Sequence, residues 1–411
     1  MGFLTIILFF IYTYGFGFSI AKLAGESENF LERNLMRIGI GLALMIVLGL
    51  LLNLIKVPLD WRILLALSII TPLFYLLRNV RNIKLNFKIT KYDIAILVML
   101  LIFSAGFYMY AKGAFSYPWL EDDDSWAHSI GVKYVSIEKK VFAEQPLRYM
   151  DPYPPGYDML LGILHQTNSS VYWTLKFFNA LIISLSIIFF FFFANEFSGS
   201  SRKALFSTFA IASIPAFLSH FIWAIALSVP LYFVAFYSIE RIKHDKRWIF
   251  ISAVAIGAAL TISPTHSAYF ALLFAIYYII KAIAEKSILL HYAAAGFFGA
   301  AVSFSLWWLP SMIRHGFKGM LNRIGLTNVP EILSIHGTGD RIYTLQDFLI
   351  AQKTNMINNP IGIGLVISIL SLIALISILY AYYDDLSRNK IKILIIFLII
   401  SAIMLAFLSQ T

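Results

Sequence analysis

The sequence predicts an all-α polytopic integral membrane protein with about twelve transmembrane helices. Three observations carry that prediction. Of 411 residues, 60% are hydrophobic and only 13% are charged. Mean hydropathy is +0.79. Apolar runs near the length needed to cross a hydrocarbon core recur from one end of the chain to the other, separated by short basic loops.

The first run, Phe3 to Ala21, has no basic segment before it and no small-residue cleavage site leading into a polar mature domain, so it reads as a retained helix. Runs at Ile38 to Ile55, Trp61 to Leu77 and Ile94 to Ala111 follow. Beyond a polar stretch come Val171 to Ala194, Ala204 to Leu218, Phe221 to Ile239, Ile249 to Ile262, His266 to Ile280 and Leu289 to Leu309. Pro360 to Ala381 and Ile391 to Phe407 complete the set. If each run spans once, the basic stretches Arg78 to Lys91, Ser201 to Lys203, Glu240 to Arg247, Lys281 to Lys286 and Ser387 to Lys392 all fall on one side. That side is cytoplasmic by the positive-inside bias, which accounts for the net charge of +10 without a nucleic-acid partner. The two long connections, Lys112 to Ser170 and Pro310 to Asn359, then share the extracytoplasmic face, where an active site is expected. The absence of cysteine excludes disulfides and thiolate metal sites, and with the high Ile and Lys content it points to the plasma membrane of a prokaryote, archaeal or thermophilic.

The first long connection holds "EDDD", Glu121 to Asp124. A carboxylate at mid-membrane costs about 2.5–3.5 kcal/mol, so this cluster belongs at the interface or in a wet cavity. Helical periodicity after it puts Trp126, Ile130, Tyr134, Ile137 and Val141 on one apolar stripe. Asp124, His128 and Gly131 share another face, with Gly131 leaving room for a substrate. Asp and His at i and i+4 can hold a divalent ion together, or the carboxylate can orient the imidazole. Crowded hard oxygens suit magnesium or manganese, or general-base work; the bland reading is a solvated acidic loop.

A second element, "YMDPYPPGYDMLLGIL" (Tyr149 to Leu164), reads as a rigid extended turn entering a helix, from which Asp151 and Asp158 can approach the acidic cluster. In the second outer loop, Arg314, His315 and Arg341 are candidates for a lipid phosphate, against a reading as headgroup anchors beside Trp307 and Trp308. Tyr153, Tyr157 and His266, the last in "SPTHS", are candidates for the walls of a substrate cavity, and His220 lies at another outer turn. Asn168 in "NSS" fits an N-glycosylation acceptor on the outer side.

Taken in order, the acidic loop after a transmembrane helix, the amphipathic helix Trp126 to Val141 and the "YPPGY" turn Tyr153 to Tyr157 resemble the GT-C superfamily of polytopic glycosyltransferases. That superfamily includes protein O-mannosyltransferases, the aminoarabinose transferase and the catalytic subunit of oligosaccharyltransferase. The resemblance implies a seven-helix catalytic module over 92–309 with its acidic outer loop at 113–170, a second outer loop at 310–359 and C-terminal helices at 360–411. The helices of 1–91 would be an N-terminal addition.

It further implies inverting transfer of a sugar from a polyprenyl-phosphate (dolichol-type) donor to a protein, lipid or glycan acceptor. Asp124, Asp122 or Asp123 would be the base, and a magnesium or manganese ion would be held by Asp124, His128 and Asp151. The tryptophan-rich soluble domain of oligosaccharyltransferase has no counterpart here, which favours transfer of a single sugar. Competing classes are a polysaccharide polymerase or ligase, which would lean on Arg and His of the second loop, a secondary transporter using the acids for ion coupling, and a structural membrane scaffold.

Overall fold

The computed structural model describes residues 2–79, 90–121, 123–144, 147–218, 221–323, 344–351 and 362–382. These residues form sixteen α-helices and no strand. They are α1 (Phe3–Ala21), α2 (Phe30–Leu54), α3 (Trp61–Asn79), α4 (Lys91–Phe115), α5 (Asp123–Glu138), α6 (Gly156–His165), α7 (Val171–Ser198), α8 (Ser201–Ala212), α9 (Ile225–Arg241), α10 (Trp248–Ala259), α11 (Pro264–Glu285), α12 (Leu290–Ser303), α13 (Leu309–His315), α14 (Phe317–Arg323), α15 (Leu345–Ile350) and α16 (Leu365–Tyr382). The protein is all-α with membrane-helix character, as expected.

Seven helical stretches among the described residues are long and apolar enough to span: α1, α2, α3, α4, α7, α11, and α12 continued through a π-helical turn at Phe304–Trp308 into α13. The expected runs at Ala204 to Leu218 and Ile249 to Ile262 instead give α8 and α10, each of 12 residues. At 1.5 Å per residue these reach only ~18 Å, short of a ~30 Å hydrocarbon core. Polar and proline breaks at Ser213 to Pro215 and at Thr261 to Pro264 end both helices, and an apolar count does not register them. The run Phe221 to Ile239 gives α9, 17 residues with Pro230 inside it, and Pro360 to Ala381 gives α16 from Leu365; neither is among the seven. The run Ile391 to Phe407 lies outside the described residues.

Lipid supplies no hydrophobic drive between helices, so association depends on close packing. α1 and α2 achieve it through paired glycines: a Cβ on Gly41 would sit 1.6 Å from the Thr13 carbonyl oxygen, and one on Gly17 would sit 1.8 Å from that of Arg37. α7 runs through the centre, with Phe178, Phe189, Phe191 and Phe192 wholly buried. Residues of α1 and α2 belong to the same continuous core as those of α6, α7, α9 and α10.

The helix ends sort into two polar layers. At the end assigned to the cytoplasm, Arg37 forms a two-pronged ion pair with Glu26 at 2.7 and 2.8 Å. Glu196 of α7 meets Arg241, Lys243 and His244 there. The wholly buried Glu240 accepts from Lys281 and from the Tyr277 hydroxyl. At the opposite end, the turn after α2, the segments around α5 and α6, the start of α7 and the end of α13 come together. Lys139 pairs with Asp60, and Gly156 N–H donates to the Thr261 carbonyl. The basic stretches Glu240 to Arg247 and Lys281 to Lys286 thus share one end, as expected, while Ser387 to Lys392 lies outside the described residues.

Candidate functional site

α5 opens with Asp123 and Asp124 in its first turn, where the positive end of the helix dipole favours carboxylates. Its apolar stripe faces outward, with Trp126, Ile130 and Ile137 exposed. The opposite face, with Ser125, His128, Gly131, Val132 and Val135, is buried against the protein. Periodicity predicts this helix and its stripe as far as Ile137; α5 ends at Glu138, so Val141, expected on the same stripe, lies beyond it and is wholly buried.

Asp124 Oδ1 accepts from the Tyr149 hydroxyl and lies 3.3 Å from Arg148 Nη2. Arg148 Nη1 donates to Asp123 Oδ2 at 2.7 Å. Burial, and next the bond to Asp124, push the Tyr149 phenol well above its ordinary range, so it stays a hydroxyl donor at any working pH. Its ring stacks on His128 with centroids 4.6 Å apart and meets Tyr153 edge-on at 5.0 Å.

Behind this layer, His128 Nδ1 meets a carboxylate at 2.6 Å, and that carboxylate is Asp158 from the first turn of α6. The orienting carboxylate therefore comes from across the fold. Asp158 is wholly buried; burial raises its carboxyl, with His128 working in the opposite direction. Its Oδ2 is buried with no hydrogen-bond partner. Gly131 leaves room, but for Asp158: a Cβ there would stand 2.1 Å from that Oδ2. The expected substrate space beside Gly131 is thus filled by a side chain of the protein.

Tyr157 is wholly buried, edge-on to His128 at 4.9 Å, and donates its hydroxyl to Asn179 Oδ1 at 2.8 Å. It is a wall behind His128, not a surface that a substrate could touch. Tyr153 bonds Ser263, and burial pushes its phenol up to about 12. Ser263 Oγ in turn lies 3.0 Å from His266 Nδ1. Tyr149, Tyr153, Ser263 and His266 therefore line up from the mouth of α5 to the start of α11.

Asp151 joins a different cluster. Its carboxylate is buried, with Oδ1 at 2.6 Å from His315 Nε2 and Oδ2 at 3.5 Å from Arg314 Nε. Ala143 N–H also donates to Oδ2, and Arg314 donates to the Ala143 carbonyl. The expected metal set thus separates: Asp124 goes to Tyr149 and Arg148, His128 to Asp158, and Asp151 to His315 and Arg314. Among the described residues no three His, Asp or Glu side chains converge to hold a metal ion. Asp122, His220 and Arg341 lie outside the described residues.

Sequence reasoning missed Arg148 and Tyr149. The signal was an arginine and an aromatic residue three and two positions before the Asp-Pro that opens the turn. Asn168 is buried, bonding Thr174 Oγ1 at 3.1 Å and Ser170 N–H at 3.3 Å, which is unlike an accessible glycosylation acceptor. Compared with known proteins, the chain matches no protein-family model and no curated protein.

Proposed function

We propose that the chain is a GT-C-like membrane glycosyltransferase that takes a sugar from a polyprenyl-phosphate donor and delivers it to an acceptor hydroxyl on the extracytoplasmic face of a prokaryotic plasma membrane. The observation that supports it best is the Asp124 carboxylate. It is partly exposed at the α5 mouth, gripped by Tyr149 and Arg148, with Arg314 and His315 brought to the same polar layer through Asp151.

In this reading Asp124 takes the proton from the acceptor hydroxyl, whose oxygen attacks the anomeric carbon. The bond from that carbon to the phosphate oxygen breaks, its electron pair leaves with the polyprenyl phosphate, and the configuration inverts. Arg314 and His315 stabilise the charge growing on the phosphate. Tyr149 fixes the base, and Tyr153 and His266 line the approach. No step here runs through a metal ion, because the ligands among the described residues do not converge; magnesium, manganese and EDTA arms of the assay report on one directly.

The wholly buried Asp158–His128 pair favours one second reading, a proton-coupled transporter, since buried titratable pairs mark proton paths. The test is transfer of radiolabelled sugar from a polyprenyl-phosphate donor in membranes containing the chain. Asp124→Asn is expected to lower the rate about 10²–10⁴-fold while the protein stays monodisperse. Full activity in the variant, or uptake without transfer that is abolished by Asp158→Asn, would overturn the glycosyltransferase reading.

A further inference from the structure

A cavity of about 430 Å³ opens at the outer interface between the end of α2 and the end of α5. Four of its lining side chains are cations: Lys56, Lys139, Lys140 and Arg314; one, Glu138, is an acid. We propose that this cavity binds the phosphate of an anionic lipid in the outer leaflet, through Lys56, Lys140 and Arg314.

The cations differ in what holds them. Lys139 is drawn to Asp60. Lys140 stands 3.8 Å from Glu138, both side chains being nearly half exposed, and an exposed pair at that distance binds weakly. Arg314 is fixed in place: its guanidinium lies 5.4 Å from the Phe142 ring centroid, donates to the Ala143 carbonyl and stands 3.5 Å from the buried Asp151 carboxylate through Nε. Lys56 ends α2 in the left-handed region at φ 61°, a position where glycine is usual, and Lys139 ends α5 the same way at φ 53°. Two helix ends thus turn on lysines where an unstrained residue would serve, and both lysines line this one cavity.

Leu54 lines the cavity, and the residues flanking it, Ile55 and Ile313, are 58% and 77% exposed. A cationic recess rimmed by exposed aliphatic side chains at membrane depth fits a phosphate carrying hydrocarbon tails. A free anion would have no use for the rim. The inference rests on the function proposed above only through Arg314, which the two share. Lipid retention is read without any transfer reaction, so either can fail alone.

The test is native mass spectrometry of the full chain released from micelles holding equal phosphatidylglycerol and phosphatidylcholine. Wild type is expected to retain phosphatidylglycerol preferentially. Lys56→Gln/Lys140→Gln should cut that preference about thirtyfold, as expected for two cations removed from beside a phosphate. Glu138→Gln, which removes the one acid among the described lining residues, should raise it. Lys246→Gln/Lys286→Gln, at the other polar end, should leave it unchanged. A wild type without preference, an unaltered preference in the first variant, or an equal fall in the last would overturn the proposal. Displacement of the lipid by millimolar inorganic phosphate would also overturn it, assigning the cavity to a free anion.

Discussion

Gly131→Ala probes the joint between α5 and α6 more sharply than removal of any charged group there. The new methyl would stand 2.1 Å from Asp158 Oδ2 and 2.8 Å from its Cγ, where ordinary contact begins at 3.4 Å. The carboxylate must retreat by more than an ångström, and it is the side chain holding His128 at 2.6 Å. A bond stretched beyond about 3.5 Å is no longer a hydrogen bond. Overpacking costs about 1–3 kcal/mol, and loss of a bond to a charged group costs about 1.5–3 kcal/mol. The two overlap at one site, so a combined loss of ~3 kcal/mol is expected. Thermal unfolding in detergent, read by intrinsic tryptophan emission, measures it for Gly131→Ala, Asp158→Ala and the double variant. Asp158→Ala removes the clashing oxygen, so Gly131→Ala should cost under about 1 kcal/mol in that background. An equal cost in both backgrounds would refute the reasoning, as would a single variant as stable as wild type.

Tyr149→Phe removes the hydroxyl donated to Asp124 and should lower transfer about 10–100-fold through kcat, the range of one hydrogen bond to a charged group, with little change in unfolding temperature. Asp158→Asn keeps the shape of the buried side chain and removes its charge, so its effect on transfer separates orientation of His128 from packing; a rate loss with unchanged stability is expected, and steady-state kinetics check it. Burial works to raise the Glu26 carboxyl, but Arg37 and Lys22 more than offset it and hold it below its ordinary value. Its contribution to stability is therefore present above the unfolded-state pKa of about 4.5 and is lost as pH falls through the folded value, so Glu26→Gln should flatten the acid limb of an unfolding-temperature profile. Asn168 should stay unmodified in a glycosylating host, which an unchanged mass after amidase treatment would show.

The membrane-helix character and the α5 helix were legible in the sequence because each depends on local composition or period. Trp126, Ile130 and Ile137 repeat at helical spacing, and they are the face the structure leaves outward. The number of full spans was not legible, since apolar content is the same in α10, at 12 residues, as in a spanning helix; only the breaks at Thr261 and Ser263 tell them apart. At the site, the sequence supplied the right residue types and mispaired them. The i to i+4 spacing of Asp124 and His128 favours a local partner, yet His128 takes Asp158 from thirty residues away, because Gly131 opens the surface of α5 at that point. Asp151 opens the proline-rich turn and reads like part of the acidic cluster, but the approach of α13 delivers His315 and Arg314 to it, a long-range contact with no sequence signature.

The most direct measurement of the central claim is sugar transfer in sealed, oriented vesicles, with polyprenyl-phosphate donor in the membrane and acceptor supplied on one side only, comparing wild type with Asp124→Asn. The account predicts product of inverted configuration from wild type, formed only when the acceptor is on the face bearing α5, and a rate about 10²–10⁴-fold lower in the variant. Equal rates from wild type and variant, or product formed from acceptor on the face bearing Glu196 and Arg241, would contradict it.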